Sequence, residues 1–172
     1  MIKKAYFAGG CFWCTESVFQ RVKGVIEVTP GYMGGHVKNP AYREVCNGIT
    51  GHTETIKITY DQDIVPYSSL LEIFFLFHDP TTLNRQGNDI GTQYRSCIYA
   101  STDTQLAEAE ASKVTFMEAL AAAGYPEITT EVKTSQPFYY AEDYHQQYLA
   151  KVPNGYCGLG GTGVCYPSGA GQ

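Results

Sequence analysis

Apolar and polar positions along the first third of the chain change period twice. "KKAYFA" (3–8) reads as a short strand stopped by Gly9 and Gly10, and "CFWCTESVFQRVKG" then sets Phe12, Val18, Phe19 and Val22 at roughly helical spacing up to Gly24. "VIEVTPGY" is a second strand, so the chain opens as a βαβ unit with a tight glycine turn ahead of the helix. Residues 33–52, "MGGHVKNPAYREVCNGITGH", have no period and predict a long loop of the kind that often carries function. "TETIKITYD" puts Ile56, Ile58 and Tyr60 on one face and Thr55, Lys57 and Thr59 on the other, as a half-buried strand does. "VPYSSLLEIFFLFHDP" follows as a core helix with Pro66 near its start and a broad apolar surface of Leu70, Leu71, Ile73, Phe74, Phe75 and Phe77.

Beyond a second polar loop, "TLNRQGNDIGTQYRS", the pattern gives a strand "CIYAS", an Ala-rich amphipathic helix ending at Gly124, and an alternating segment "EITTEVK". "AEDYHQQYL" predicts a short helix. The last twenty residues hold too many glycines for regular structure and are expected to be mobile. The reading is one domain over residues 1–150 and a flexible tail over 151–172, with no internal repeat. Strands and helices interleave without a phosphate-binding glycine loop, which favours an α/β sandwich.

Composition narrows the classes. The chain has 172 residues, is 44% hydrophobic, and carries 12 basic against 17 acidic residues for a net charge of −5. Without a clustered basic surface, nucleic acid is not an expected partner. The apolar run after "MIKK" is too short for a signal segment and no stretch is long enough to span a bilayer, so a cytoplasmic monomer without membrane contact is expected.

The six cysteines are too few for a disulfide-stapled scaffold and leave some thiols free for chemistry. Cys11 and Cys14 form a C-x-x-C; Cys157 and Cys165 have seven residues between them in the tail, a spacing that fits a second zinc half-site poorly, and no metal is expected. At the start of a helix, Cys11 is expected to have a lowered pKa and to act as a nucleophile, although a free cysteine is commonly a small buried hydrophobe. Cys14 is within disulfide reach. Phe12 and Trp13 suit either an apolar cup for a methyl or thioether group or plain core packing. Tyr42, His52, Glu54, Asp89 and Tyr94 stand on or beside the loops, where acids could surround a substrate atom, but each also has an ordinary structural use.

Five ordered stretches, "GCFWC", "GYMGGHVKNPAYREVCNGITGHTE", "FFLFHDPTTLNRQGNDIGTQYRS", "PFYYAEDYHQQYL" and "NGYCGLGGTGVCYP", together resemble the peptide methionine sulfoxide reductase A family over nearly the whole chain. The resemblance implies a ferredoxin-like two-layer sandwich with long functional loops. It also implies reduction of methionine S-sulfoxide, free or in proteins, and hence repair of oxidative damage. On it, Cys11 is the nucleophile, Phe12 and Trp13 receive the S-methyl group, and Glu54, Tyr42 and Tyr94 hydrogen-bond and protonate the sulfoxide oxygen, with Asp89 ordering them.

That chemistry needs a protonated carboxyl near neutral pH, so Glu54 is expected in an apolar pocket with a raised pKa. The sulfenic acid formed on Cys11 must then be resolved by a thiol and regenerated by a thioredoxin-like dithiol, with no cofactor. Some family members resolve with a tail cysteine corresponding to Cys157 and pass the disulfide to Cys165; others use the position of Cys14. The chain has both sets, with Cys157 favoured and Cys14 a rival or parallel route. Cys46 and Cys97 are expected to be structural, and His52 a loop hydrogen-bonding residue. The alternative activity is a general thiol-disulfide oxidoreductase using Cys11 and Cys14.

Overall fold

A computed structural model describes residues 1–147 and 161–166. The elements run β1 (Ile2–Ala8), α1 (Phe12–Phe19), β2 (Val25–Met33), α2 (Tyr42–Cys46), β3 (Thr53–Asp61), α3 (Tyr67–Phe77), β4 (Arg85–Gln86), β5 (Asp89–Ile90), β6 (Cys97–Ala100), α4 (Asp103–Ala122), β7 (Glu131–Thr134) and β8 (Tyr139–Tyr140). One sheet has the order β7-β6-β1-β3-β2-β8, and β4 pairs with β5 in a separate small hairpin. Within the large sheet β6-β1-β3-β2 are mutually antiparallel neighbours, the strand order of a split βαβ ferredoxin-like core. α4 leads from β6 into β7, which joins the sheet parallel to β6, and β8 adds an edge beside β2.

The period-2 pattern decides which side chains meet the helices. Ala5 and Phe7 of β1, Ile56 and Ile58 of β3 and Ile98 of β6 belong to the buried core under α1, α3 and α4. Phe7 is central to that layer, with its ring centroid 5.6 Å from Phe19, 5.0 Å from Phe74 and 5.9 Å from Tyr67. A smaller cluster of Ala8, Met33, Cys97 and Tyr99 packs on the opposite face. Its polar members are satisfied: the Thr53 hydroxyl lies 2.8 Å from the Tyr99 hydroxyl and donates to the Met33 carbonyl at 3.0 Å.

Several sequence-based boundaries move. The first helix ends at Phe19 instead of running to Gly24, because the chain must turn through Gly24 (φ 100°) to enter β2. The loop over 33–52 contains α2, a single turn whose start is closed by the Ala41 N–H donating to the Glu44 carboxylate at 2.9 Å. The strand expected over 127–133 forms only over Glu131–Thr134, and the helix expected over 141–149 is reduced, among described residues, to a 3-10 turn at Asp143–His145. Such short elements take their form from long-range contacts more than from local periodicity.

Residues 161–166 have no regular structure but lie along the helical layer. Tyr125 Oη donates to the Thr162 carbonyl at 2.9 Å, while the Tyr166 ring stacks 5.6 Å from Phe116 and its hydroxyl lies 2.7 Å from that of Ser112. Cys157 lies outside the described residues. Among described residues no helix is long and apolar enough to cross a membrane.

Gly10 has φ 97°, which an L side chain adopts only with strain, and it delivers the chain from β1 into α1. Gly10→Ala is expected to lower stability by about 1–2 kcal/mol in urea unfolding. A change of a few tenths would show that the turn tolerates a side chain.

Candidate active site

Cys11 is the residue that caps the start of α1, at the junction with β1. Its carbonyl accepts the Cys14 and Thr15 N–H groups at 3.2 and 3.3 Å and the Thr15 hydroxyl at 3.1 Å. The side chain is only 6% exposed. One residue on, the Phe12 N–H donates to Glu54 Oε1 at 3.1 Å, joining the helix start to β3. Glu54 continues the parity of Ile56, Ile58 and Tyr60, pairs across the sheet with Tyr32, and is 2% exposed. Its second oxygen, Oε2, is buried with no hydrogen-bond partner among the described residues.

A buried, half-satisfied carboxyl resists ionisation. Burial raises the Glu54 pKa to about 8; the Asp89 charge adds to the rise, while the Phe12 N–H and the nearby Gln93 amide oppose it. Burial also pushes the Cys11 thiol up to about 12, with Glu54 adding to the rise and the Trp13 and Cys14 N–H groups only partly offsetting it. This reverses the expected lowering at Cys11. The helix terminus supplies its donors, but desolvation outweighs them, so the free protein holds a neutral thiol beside a neutral acid.

The loops bring the remaining expected groups to the same place. Tyr42 begins α2, and its phenol is raised far above its ordinary value by burial first, then by Glu54 and the adjacent Cys46 thiol. Tyr94 ends a 3-10 turn over Thr92–Tyr94; burial raises it most, followed by the charges of Glu54 and Asp89. Asp89, on β5, also acts on Cys11 and Glu54. Cys46, expected to be structural, instead stands beside this group: it accepts from Gln93 Nε2 at 3.4 Å and influences both Tyr42 and Tyr94. Cys97 is fully buried in the smaller core, as a structural thiol would be.

Two groups escaped the sequence reading. Gln93 is 4% exposed and faces the Glu54 carboxyl. His145 is fully buried, and its Nδ1 accepts the Trp13 indole N–H at 3.0 Å. Its ring lies 5.1 Å from Phe12, 4.4 Å from Tyr42 and 4.1 Å from Tyr144. Burial lowers the His145 pKa, which favours the neutral ring that can accept from Trp13 while carrying its proton on Nε2. Phe12 is fully buried against Tyr32 and His145, whereas Trp13 is half-buried. Neither Gln93 nor His145 announces itself by period, since each reaches the site from a distant turn. His52 acts as expected within its loop: Nδ1 accepts the Gly35 N–H at 3.0 Å and Nε2 donates to the Val37 carbonyl at 2.6 Å.

Cys14 is buried and disulfide-bonded, while Cys11, Cys46, Cys97 and Cys165 are free thiols and Cys165 is exposed. The C-x-x-C is therefore not closed on itself. Among the described residues no three His, Cys, Asp or Glu side chains converge as metal ligands would.

A free thiol, a protonated buried acid and two phenols converge here, and residues 3–162 match the model of the family described as peptide methionine sulfoxide reductase. The chain belongs to that family. It is 55% identical over 166 residues to the MsrA protein of Azotobacter vinelandii, covering 96% of this chain and 77% of that protein. The solved methionine sulfoxide reductase A of Corynebacterium diphtheriae superposes with a TM-score of 0.86 at 41% identity, covering 91% of this chain and 77% of that one. Reduced Mxr1 of Saccharomyces cerevisiae superposes with a TM-score of 0.84 at 35% identity, covering 91% and 89%. The reductase family thus accounts for the fold and for an oxidoreductase acting on methionine sulfoxide.

Glu54 keeps its proton in the folded protein up to about pH 8 but releases it near 4.5 once unfolded, so in that interval the folded state binds more protons and stability falls as pH rises. Calorimetry of wild type and Glu54→Gln across this range is expected to show wild type losing stability relative to the variant. Parallel curves would contradict a buried, protonated Glu54.

Proposed function

We propose that the chain reduces methionine S-sulfoxide, free or in proteins, with Cys11 as nucleophile and Glu54 as general acid. The observation that carries this reading is Glu54 itself: a carboxyl buried beside a buried thiol, its Oε2 without a partner among the described residues, where desolvation favours the protonated form. A sulfoxide oxygen leaves poorly until protonated, and a neutral acid in a dry site meets that need. Glu54 gives its proton to the sulfoxide oxygen, Cys11 sulfur attacks the sulfoxide sulfur, and the thiol proton returns to Glu54. The attack forms a bond between the two sulfurs; that bond and the substrate S–O bond then break as the Cys11 S–O bond forms, so the substrate sulfur gains the two electrons that Cys11 loses. A thioether leaves and Cys11 becomes a sulfenic acid.

Tyr42 and Tyr94 donate hydrogen bonds to the same oxygen, Asp89 orders them, and Phe12 and Trp13 receive the S-methyl group. Their unusually high phenol pKa values support the two tyrosines as neutral donors at any physiological pH. The sulfenic acid then condenses with a thiol and releases water. We assign that step to Cys157, with Cys14 as a parallel route, in a tail over residues 151–172 appended to a catalytic domain over 1–150. Cys165 takes up the disulfide, and a thioredoxin-like dithiol of the cytoplasm reduces it, with no cofactor. Exposure of Cys165 supports its meeting a macromolecular reductant. A Cys14 that is disulfide-bonded while Cys11 is free supports keeping Cys14 as the parallel route. It disfavours the general disulfide oxidoreductase, whose Cys11 and Cys14 would be joined to each other.

In single-turnover assays the S epimer is expected to be reduced and the R epimer spared. Cys11→Ser should be inactive, and Glu54→Gln slower by about 10²–10⁴-fold with Cys11 still alkylatable. The wild-type rate should fall as pH rises through about 8, where Glu54 loses its proton. Turnover of insulin disulfides without sulfoxide reduction would overturn the reading.

After one substrate equivalent, mass mapping is expected to find Cys11 joined to Cys157 in Cys165→Ser, where the onward exchange is blocked, and to Cys14 in Cys157→Ser. A bond from Cys11 to Cys14 in wild type would reverse the assignment.

A further inference from the structure

The depth of Cys11 sets a constraint on any protein-bound substrate. At 6% exposure, the thiol is reached by a long side chain while the substrate backbone stays at the rim. An open depression of about 310 Å³ is lined by Asn39 and Pro40 on one side and Phe138, Tyr139 and Tyr140 on the other. None of the groups around Cys11 lines it, but both of its walls run into the site. Two residues beyond Pro40 the chain reaches Tyr42, and two beyond Tyr140 it reaches Glu142. The Glu142 carboxylate ties the walls together, accepting the Tyr42 N–H and the Tyr32 hydroxyl, each at 3.0 Å.

One wall is a sheet edge. β8 lies at the end of the sheet order, beside β2. Ala141 donates its N–H to the Pro30 carbonyl at 3.0 Å, and the register places Tyr140 opposite Gly31. In an antiparallel pair these positions alternate, so Tyr140 sits at a non-hydrogen-bonded position and turns its N–H and C=O away from β2. The same residue exposes an aromatic surface: Tyr140 is 64% exposed, its ring makes an edge contact with Phe138 at 5.6 Å, and Lys57 Nζ donates to its hydroxyl at 2.7 Å.

We propose that this depression receives the extended polypeptide flanking an oxidised methionine, which pairs with the outward N–H and C=O of Tyr140 as an added strand and packs on Phe138 and Pro40. Strand addition of this kind derives affinity from main-chain hydrogen bonds and accepts many sequences, as a binder of damaged proteins requires. A strand advances about 3.3 Å per residue, and each wall runs into Tyr42 or Glu142 within two residues, so the pairing falls a few residues from the sulfoxide. The proposal rests on the sulfoxide-reductase reading and adds to it a peptide-binding surface distinct from the methyl pocket.

The test compares N-acetyl-methionine S-sulfoxide amide with a nine-residue peptide carrying a central methionine S-sulfoxide. Tyr140→Pro removes the outward N–H at a position that does not bond to β2, as an edge strand tolerates; Tyr140→Ser removes only the ring. For Tyr140→Pro, kcat/KM on the peptide is expected to fall about tenfold, through KM, and to stay within about twofold on the short substrate. With wild type, N-methylation of the peptide a few residues from the sulfoxide should reproduce that loss, and it does so independently of any effect on folding. Equal losses on both substrates, or full activity on the N-methylated peptides, would overturn the groove. Failure of wild type to reduce even the short substrate would instead overturn the functional reading beneath it.

Discussion

The hydrogen bond from the Phe12 N–H to Glu54 Oε1 ties the two halves of the site to one scaffold. It connects the first turn of α1, where Cys11 sits, to the strand that carries Glu54. Each partner is placed by a separate local rule. Gly10 turns the chain at a positive φ so that Cys11 caps the helix, and strand alternation carries Glu54 onto the face of Ile56 and Ile58. Both rules must hold for the bond to form.

Around that bond the dominant force is desolvation. The same apolar surroundings that raise Glu54 into the neutral range also raise Cys11, so the pocket holds its proton inventory on the wrong atom for attack and on the right atom for leaving-group protonation. In the proposed reaction the sulfoxide oxygen takes the Glu54 proton, and the thiol proton then has a base to go to. A site of this kind is quiet until its substrate arrives, which limits adventitious oxidation of the nucleophile.

The remaining groups come from irregular chain and depend on anchors. Tyr42 is fixed through its own N–H on Glu142, Trp13 through its indole on His145, and the 34–37 loop through both nitrogens of His52. These contacts span 100 positions for Tyr42 and 132 for Trp13. They fasten a short α2 and a 3-10 turn to distant parts of the chain.

The sequence by itself determined the βαβ opening, the core faces of β3 and α3, and the glycine turn before Cys11. Periodicity and glycine placement are local properties, so one chain of letters carries them. The tertiary structure alone decided the charge state of Cys11, because helix-end donors act locally while burial is the sum of every neighbour. It alone brought in Gln93, Cys46 and His145, and it formed β8 at the sheet edge, because each of these depends on residues from another part of the chain. The two-residue strands and the single-turn α2 have too few positions to show a period, and only pairing across the fold gives them a shape.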